Sequence, residues 1–85
     1  ENQDAARALA SDPEVDAIVV IGGKKSANTK HLWEICKEAK PSYLVQGRDD
    51  LDPHWFDGVS VVGLTAGSST PDYVIDEVEQ RLGSL

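Results

Sequence analysis
The run Ile18-Val19-Val20-Ile21, stopped by Gly22-Gly23, constrains this chain more than any other feature. Four consecutive apolar, β-branched residues leave no face for water, so a strand made from them is buried on both sides. A strand of that kind belongs in a parallel sheet covered by helices, and it is expected over residues 15–21. The flanking segments supply the covers. Ala5, Ala6 and Leu9 form a narrow apolar face on a helix over residues 3–10, which Ser11-Asp12-Pro13 ends. Leu32, Ile35, Cys36 and Ala39 recur at i, i+3, i+4 and i+7, the spacing of one helical face. That helix opens near residues 24–28, carries Lys37 and Lys40 in its last turn, and stops at Pro41.

Residues 42–45 read as a second strand, with Tyr43, Leu44 and Val45 as its apolar part, and residues 59–64 as a third. Between them, residues 47–58 are charged and irregular apart from Trp55 and Phe56, and Asp49, Asp50 and Asp52 are suited to capping short turns. Thr70 is the expected N-cap of a last helix with Pro71 at its first position. Val74, Ile75, Val78 and Leu82 form its core face, and Gly83 ends it. The order α-β-α-β-β-α predicts a small three-layer α/β/α unit with a mainly parallel sheet of about three strands. Its 85 residues form a single domain, 1–85. So short a chain buries a modest share of its surface and is expected to belong to something larger.

Charge narrows the partners. Eight Lys and Arg against 15 Asp and Glu give a net charge of −7, which argues against nucleic acid and against an anionic membrane surface. No stretch is long and apolar enough to span a bilayer, and the opening Glu1-Asn2-Gln3-Asp4 does not resemble a secretory leader. With a single cysteine, Cys36, neither an internal disulfide nor a multi-cysteine metal site can form within the chain, so a cytoplasmic, reducing compartment is expected. Methionine is absent altogether, and the chain reads as a piece of a longer protein.

Two polar loops follow the first and third strands: Gly22-Gly23-Lys24-Lys25-Ser26-Ala27-Asn28-Thr29 and Gly63-Leu64-Thr65-Ala66-Gly67-Ser68-Ser69-Thr70. In open parallel sheets, ligands bind outside the carboxyl ends of the strands. Glycines let the backbone approach an anion, hydroxyls and amides donate to it without adding charge, and each loop leads into a helix N-terminus with unpaired N–H groups. A phosphate or diphosphate held between the loops is one reading. Ordinary caps and turns, for which Ser, Asn and Gly are common, are the other. Neither loop is a Walker A or Gly-x-Gly-x-x-Gly sequence. Cys36 reads as a core thiol, His31 and His54 as surface residues, and the aspartates as a solvated face without calcium-loop spacing.

The segments Val20-Ile21-Gly22-Gly23-Lys24-Lys25-Ser26-Ala27-Asn28-Thr29-Lys30-His31-Leu32 and Val62-Gly63-Leu64-Thr65-Ala66-Gly67-Ser68-Ser69-Thr70-Pro71-Asp72 resemble the LytB-type 4-hydroxy-3-methylbut-2-enyl diphosphate reductases. Asp49-Asp50-Leu51-Asp52-Pro53-His54-Trp55-Phe56 between them fits as well, so the resemblance covers essentially the whole chain in order. It implies an iron–sulfur oxidoreductase of isoprenoid biosynthesis by the non-mevalonate route. Such an enzyme removes the allylic hydroxyl of its diphosphate substrate with two electrons and protons, giving isopentenyl and dimethylallyl diphosphate. It further implies three similar α/β domains around a central [4Fe–4S] cluster, with this chain as most of the third.

By the same resemblance, Ser26 and Asn28 match the first diphosphate-binding motif and Ser69 the second, while Ala27 stands where many members carry another serine. The family's third cluster cysteine would fall before Glu1, Asn2 stands in place of the family's arginine, and Cys36 does not match. The cluster is therefore expected in the full-length parent and not in this chain alone, which should be inactive. Sister domains and an external electron donor are the implied partners. The alternative is a noncatalytic α/β module that binds a phosphometabolite and regulates a partner domain.

Overall fold
The computed structural model describes residues 2–23, 25–67 and 70–84. Its elements run α1 (Asn2–Ser11), β1 (Ala17–Ile21), α2 (Ala27–Lys37), β2 (Ser42–Val45), two 3₁₀ turns (Arg48–Asp50 and Pro53–Phe56), β3 (Val62–Ala66) and α3 (Asp72–Gly83). The three strands are parallel in the order β2-β1-β3, so the first strand in sequence is the central one. The expected three-layer α/β/α unit is the one observed.

β1 is buried at every position, as its unbroken apolar run requires. Alternation along the strand sends Ile18 and Val20 to one face and Val19 and Ile21 to the other. On the first face they join Ala6, Val15, Leu32 and Cys36 beneath α1 and α2. On the second, Val45, Leu51 and Val78 complete a core beneath α3 and the 3₁₀ segment. Each fully buried Val, Ile or Leu contributes about 1.5–3 kcal/mol of transfer free energy.

Side chains tie the layers together. The Trp33 indole N–H donates to the Ser42 carbonyl at 2.9 Å, joining α2 to β2, and Lys37 lies 4.2 Å above the Trp33 ring. Tyr43 on β2 stacks on Trp55 at 4.4 Å, and Phe56 meets Tyr43 edge-on at 6.0 Å. The apolar cluster within the irregular segment thus closes over the edge strand. Cys36 is fully buried with its Sγ 3.9 Å from the Ala6 carbonyl, as a core thiol should be.

Three details differ from the sequence reading. β3 starts at Val62 and extends through Ala66 rather than occupying residues 59–64. The Asp16 carboxylate accepts from the Ser60 and Val61 N–H groups at 3.0 and 3.1 Å, while the Val61 carbonyl accepts from Asp16 N at 2.9 Å. That clamp holds residues 60 and 61 just ahead of the strand, and Thr65 and Ala66 pair with Val20 and Ile21 instead of forming loop. α2 ends at Lys37, so Ala39 is exposed and does not share the core face. Finally, Pro71 rather than Thr70 occupies the N-cap of α3. Among the described residues, no helix is long and apolar enough to cross a membrane.

Candidate functional site at the carboxyl edge of the sheet
β1 and β3 are neighbours and parallel, so the loops that follow them leave the same sheet edge side by side. The Gly22 N–H donates to the Val45 carbonyl at 2.9 Å and the Gly67 N–H to the Ile21 carbonyl at 3.0 Å. Each loop is thereby anchored to the strand next door before it turns away.

In the first loop, Ser26 N donates to the Gly23 carbonyl at 3.0 Å, closing a turn. Ser26 is extended (φ −75°, ψ 119°) and caps α2, its Oγ accepting from Thr29 N at 3.3 Å. Asn28 lies in the first turn of α2 and is exposed. In the second loop, Thr70 N donates to the Gly67 carbonyl at 3.0 Å, and Thr70 Oγ1 donates to the Ile21 carbonyl at 3.1 Å. That last bond explains why Thr70 does not cap α3: its hydroxyl is turned inward onto β1. Pro71 is still extended (φ −65°, ψ 147°), and α3 begins with no side-chain cap.

Between the loops lies a cavity of about 370 Å³ lined by Gly22, Gly23, Lys25, Gln46, Thr70, Pro71 and Val74. Lys25 brings a cation, Gly22 and Gly23 bring backbone approach, and the wall at Thr70 and Pro71 is the start of α3. The combination suits an anionic small molecule. Ser26 and Asn28 stand at the adjoining N-terminus of α2 rather than in that wall. Ser69 lies outside the described residues.

Two contributors were missed from sequence. Gln46 follows β2 directly and reaches the cavity because β2 ends at the same sheet edge; its position immediately after an apolar strand was the available signal. Thr29 is fully buried, and its Oγ1 has no hydrogen-bond partner among the described residues. A Cβ on Gly22 would meet Thr29 Oγ1 at 2.6 Å and Cγ2 at 2.7 Å, and one on Gly67 would also run into Oγ1. Both loop glycines therefore lie directly on this side chain.

The other candidates fall elsewhere. His31 is exposed, and His54 is 88% exposed with Nδ1 3.7 Å from the Asp57 carboxylate. Asp50 accepts from Gln46 N at 2.8 Å and Asp52 from His54 N at 2.9 Å, so these carboxylates hold turns. Among the described residues, no group of three or more His, Cys, Asp or Glu is placed to hold a metal ion. Burial pushes the Cys36 thiol above its ordinary value, the opposite of what a thiolate ligand needs. These residues alone do not fit an iron–sulfur cluster.

The chain and its fold recur in known proteins. A family model described as LytB protein matches residues 1–83. The 4-hydroxy-3-methylbut-2-enyl diphosphate reductase of a Nitratiruptor species is 52% identical over the whole chain, and that of an Anaeromyxobacter species 56%. In each case the chain spans about 30% of the curated relative's length. Among solved structures, (E)-4-hydroxy-3-methyl-but-2-enyl diphosphate reductase, the terminal enzyme of the non-mevalonate pathway, superimposes with a TM-score of 0.92 at 42% identity. That match covers 99% of this chain and 30% of the other. The Plasmodium falciparum reductase gives 0.81 at 26% identity, over 99% of this chain and 25% of its own. With the family model matched from end to end of the fold and the same α/β unit found inside solved relatives, the chain belongs to the LytB family.

Proposed function
We propose that this chain is the diphosphate-binding third domain of a three-domain iron–sulfur reductase. The full-length protein converts 4-hydroxy-3-methylbut-2-enyl diphosphate to isopentenyl and dimethylallyl diphosphate. The observation that carries the reading is the pairing of two glycine-opened loops around one Lys25-bearing cavity at a parallel sheet edge, in a chain of the LytB family.

The chain's own part is to bind and orient. The Ser26 hydroxyl accepts from Thr29 N, which leaves its proton free to donate to a phosphate oxygen. The exposed Asn28 amide and the Ser69 hydroxyl supply further neutral donors, and the N-terminus of α2 favours the negative charge. Each such contact to a charged oxygen is worth roughly 1.5–3 kcal/mol. Neutral donors also need no counter-charge when the site is empty. The sister domains supply the other cluster cysteines and the rest of the substrate pocket, while the third cluster cysteine would fall just ahead of Glu1.

The test is inorganic or isopentenyl diphosphate binding to the full-length protein, alongside reductase turnover. Ser26→Ala, Asn28→Ala and Ser69→Ala should each weaken diphosphate binding by about tenfold. Unchanged binding and turnover in all three would end the reading. Diphosphate binding without any reduction in a cluster-loaded preparation would favour a noncatalytic phosphometabolite-binding module instead.

A further inference from the structure
We infer that Thr29 is a positioning residue that sets the gap between the two loops and so the fit of the diphosphate. The inference rests on the reading above.

A buried hydroxyl without a partner is unfavourable, and a valine of the same shape would avoid that cost. Thr29 is at 0% exposure in the first turn of α2, and its Oγ1 has no hydrogen-bond partner among the described residues. The surroundings of Thr29 give its shape a role. Gly22 comes from the end of β1 and Gly67 from the end of β3, and each presses its Cα face against the same Thr29 side chain with no room for a Cβ. The side chain is a spacer held between the two loop backbones. The same residue's N–H holds Ser26 Oγ at 3.3 Å. Thr29 thus fixes three things at once: the direction of the Ser26 hydroxyl, the height of the first loop, and the distance to the second. Gly67 N and Thr70 Oγ1 are both fastened to the Ile21 carbonyl, at 3.0 and 3.1 Å, so neither residue is free to move away from β1. A diphosphate bridging both loops senses this spacing directly, because donors misplaced by a fraction of an ångström lose their alignment.

Calorimetric titration of the full-length protein with inorganic diphosphate tests the inference. Thr29→Ala, which deletes the spacer, should weaken binding by about fivefold or more. Thr29→Val keeps the shape and should stay within about twofold of the wild type. Thr29→Ser, should the alanine variant fold poorly, gives an intermediate loss. Cys36→Ala is the control. It deletes a core group two turns along the same helix and should lower the melting temperature while leaving affinity within about twofold. Wild-type affinity in both Thr29→Ala and Thr29→Ser overturns the inference. So does a loss in Cys36→Ala as large as that in Thr29→Ala, because the effect would then be general destabilisation. Ser26→Ala run in parallel separates the two ideas. If it binds normally while Thr29→Ala does not, the Ser26 assignment fails and the spacer stands.

Discussion

The loops after β1 and β3 leave one sheet edge with similar compositions, yet Ser26 and Thr70 turn their hydroxyls in different directions. Ser26 in the first serves the helix that follows, accepting from Thr29 N. Thr70 in the second serves the strand behind, donating to the Ile21 carbonyl. As a result α2 starts with a side-chain cap and α3 starts with none. The difference teaches that a glycine- and hydroxyl-rich loop after a parallel strand is defined by where its hydroxyls bond rather than by its residue types. It also divides the labour at the site: one loop orders a helix terminus, and the other fixes its own distance from the sheet.

The largest expected effect comes from crowding the shared spacer. Gly67→Ala and Gly22→Ala should each destabilise the chain by about 3 kcal/mol in urea unfolding, because neither new Cβ has space beside Thr29. The two loops should then respond differently to relief. Adding Thr29→Ala should restore most of the loss in Gly67→Ala, whose Cβ would stand 3.6 Å from the remaining Thr29 Cβ. It should restore less in Gly22→Ala, where that separation is 3.2 Å. Equal rescue would show that the loops do not contact Thr29 in the way described.

Cys36→Ser comes next, at about 1–3 kcal/mol, because it places a hydroxyl among apolar groups far from either loop. Rapid labelling of the native thiol by a bulky reagent would contradict the burial on which this rests. The thiol also sets an alkaline limit. Its folded value is raised above 9.0 by burial, so the folded chain holds the proton where the unfolded chain releases it. Stability from this source is complete below pH 9.0 and drains away as pH rises toward the folded value. Cys36→Val should remove that alkaline loss, read by unfolding at a series of pH values.

The hydroxyls themselves should rank third and fourth. Ser26→Ala removes a cap and should cost about 1 kcal/mol. Thr70→Val should cost only about 0.5 kcal/mol, because the Ile21 carbonyl keeps its bond from Gly67 N and is not left unpaired. A larger loss in Thr70→Val than in Ser26→Ala, again by urea unfolding, would reverse the comparison.

Much of this was legible because the controlling interactions are local. The Ile18–Ile21 run declared a buried central strand, and the spacing of Leu32, Ile35 and Cys36 declared the helix over it. What stayed hidden depends on residues far apart in the chain. The start of β3 is decided by the Asp16 carboxylate, 44 and 45 residues away from its partners, and nothing in Val59-Ser60-Val61 reveals that clamp. Thr70 has the sequence neighbours of a cap; its actual acceptor is 49 residues earlier. Thr29 reads as part of a polar loop, since only the assembled sheet brings Gly22 and Gly67 onto the same side chain. At the site, the sheet edge and the two loops were readable. Gln46 was harder to read, because its one signal was its place directly after an apolar strand, and only the strand order carries it to the cavity.

The strand order β2-β1-β3 also sets an order in time. β1, α2 and β2 are contiguous in the chain and can pair through short loop closures as they emerge during synthesis. β3 must wait for the segment through Phe56 and then return across the sheet to the far side of β1. A nascent chain released only as far as β2 therefore carries Gly22, Ser26 and a capped α2, but nothing stands opposite them. One edge of its central strand is bare, and a sticky apolar edge is what chaperones and misfolding both recognise. The cavity at the sheet edge is consequently among the last features to form, and its closing coincides with the covering of that edge.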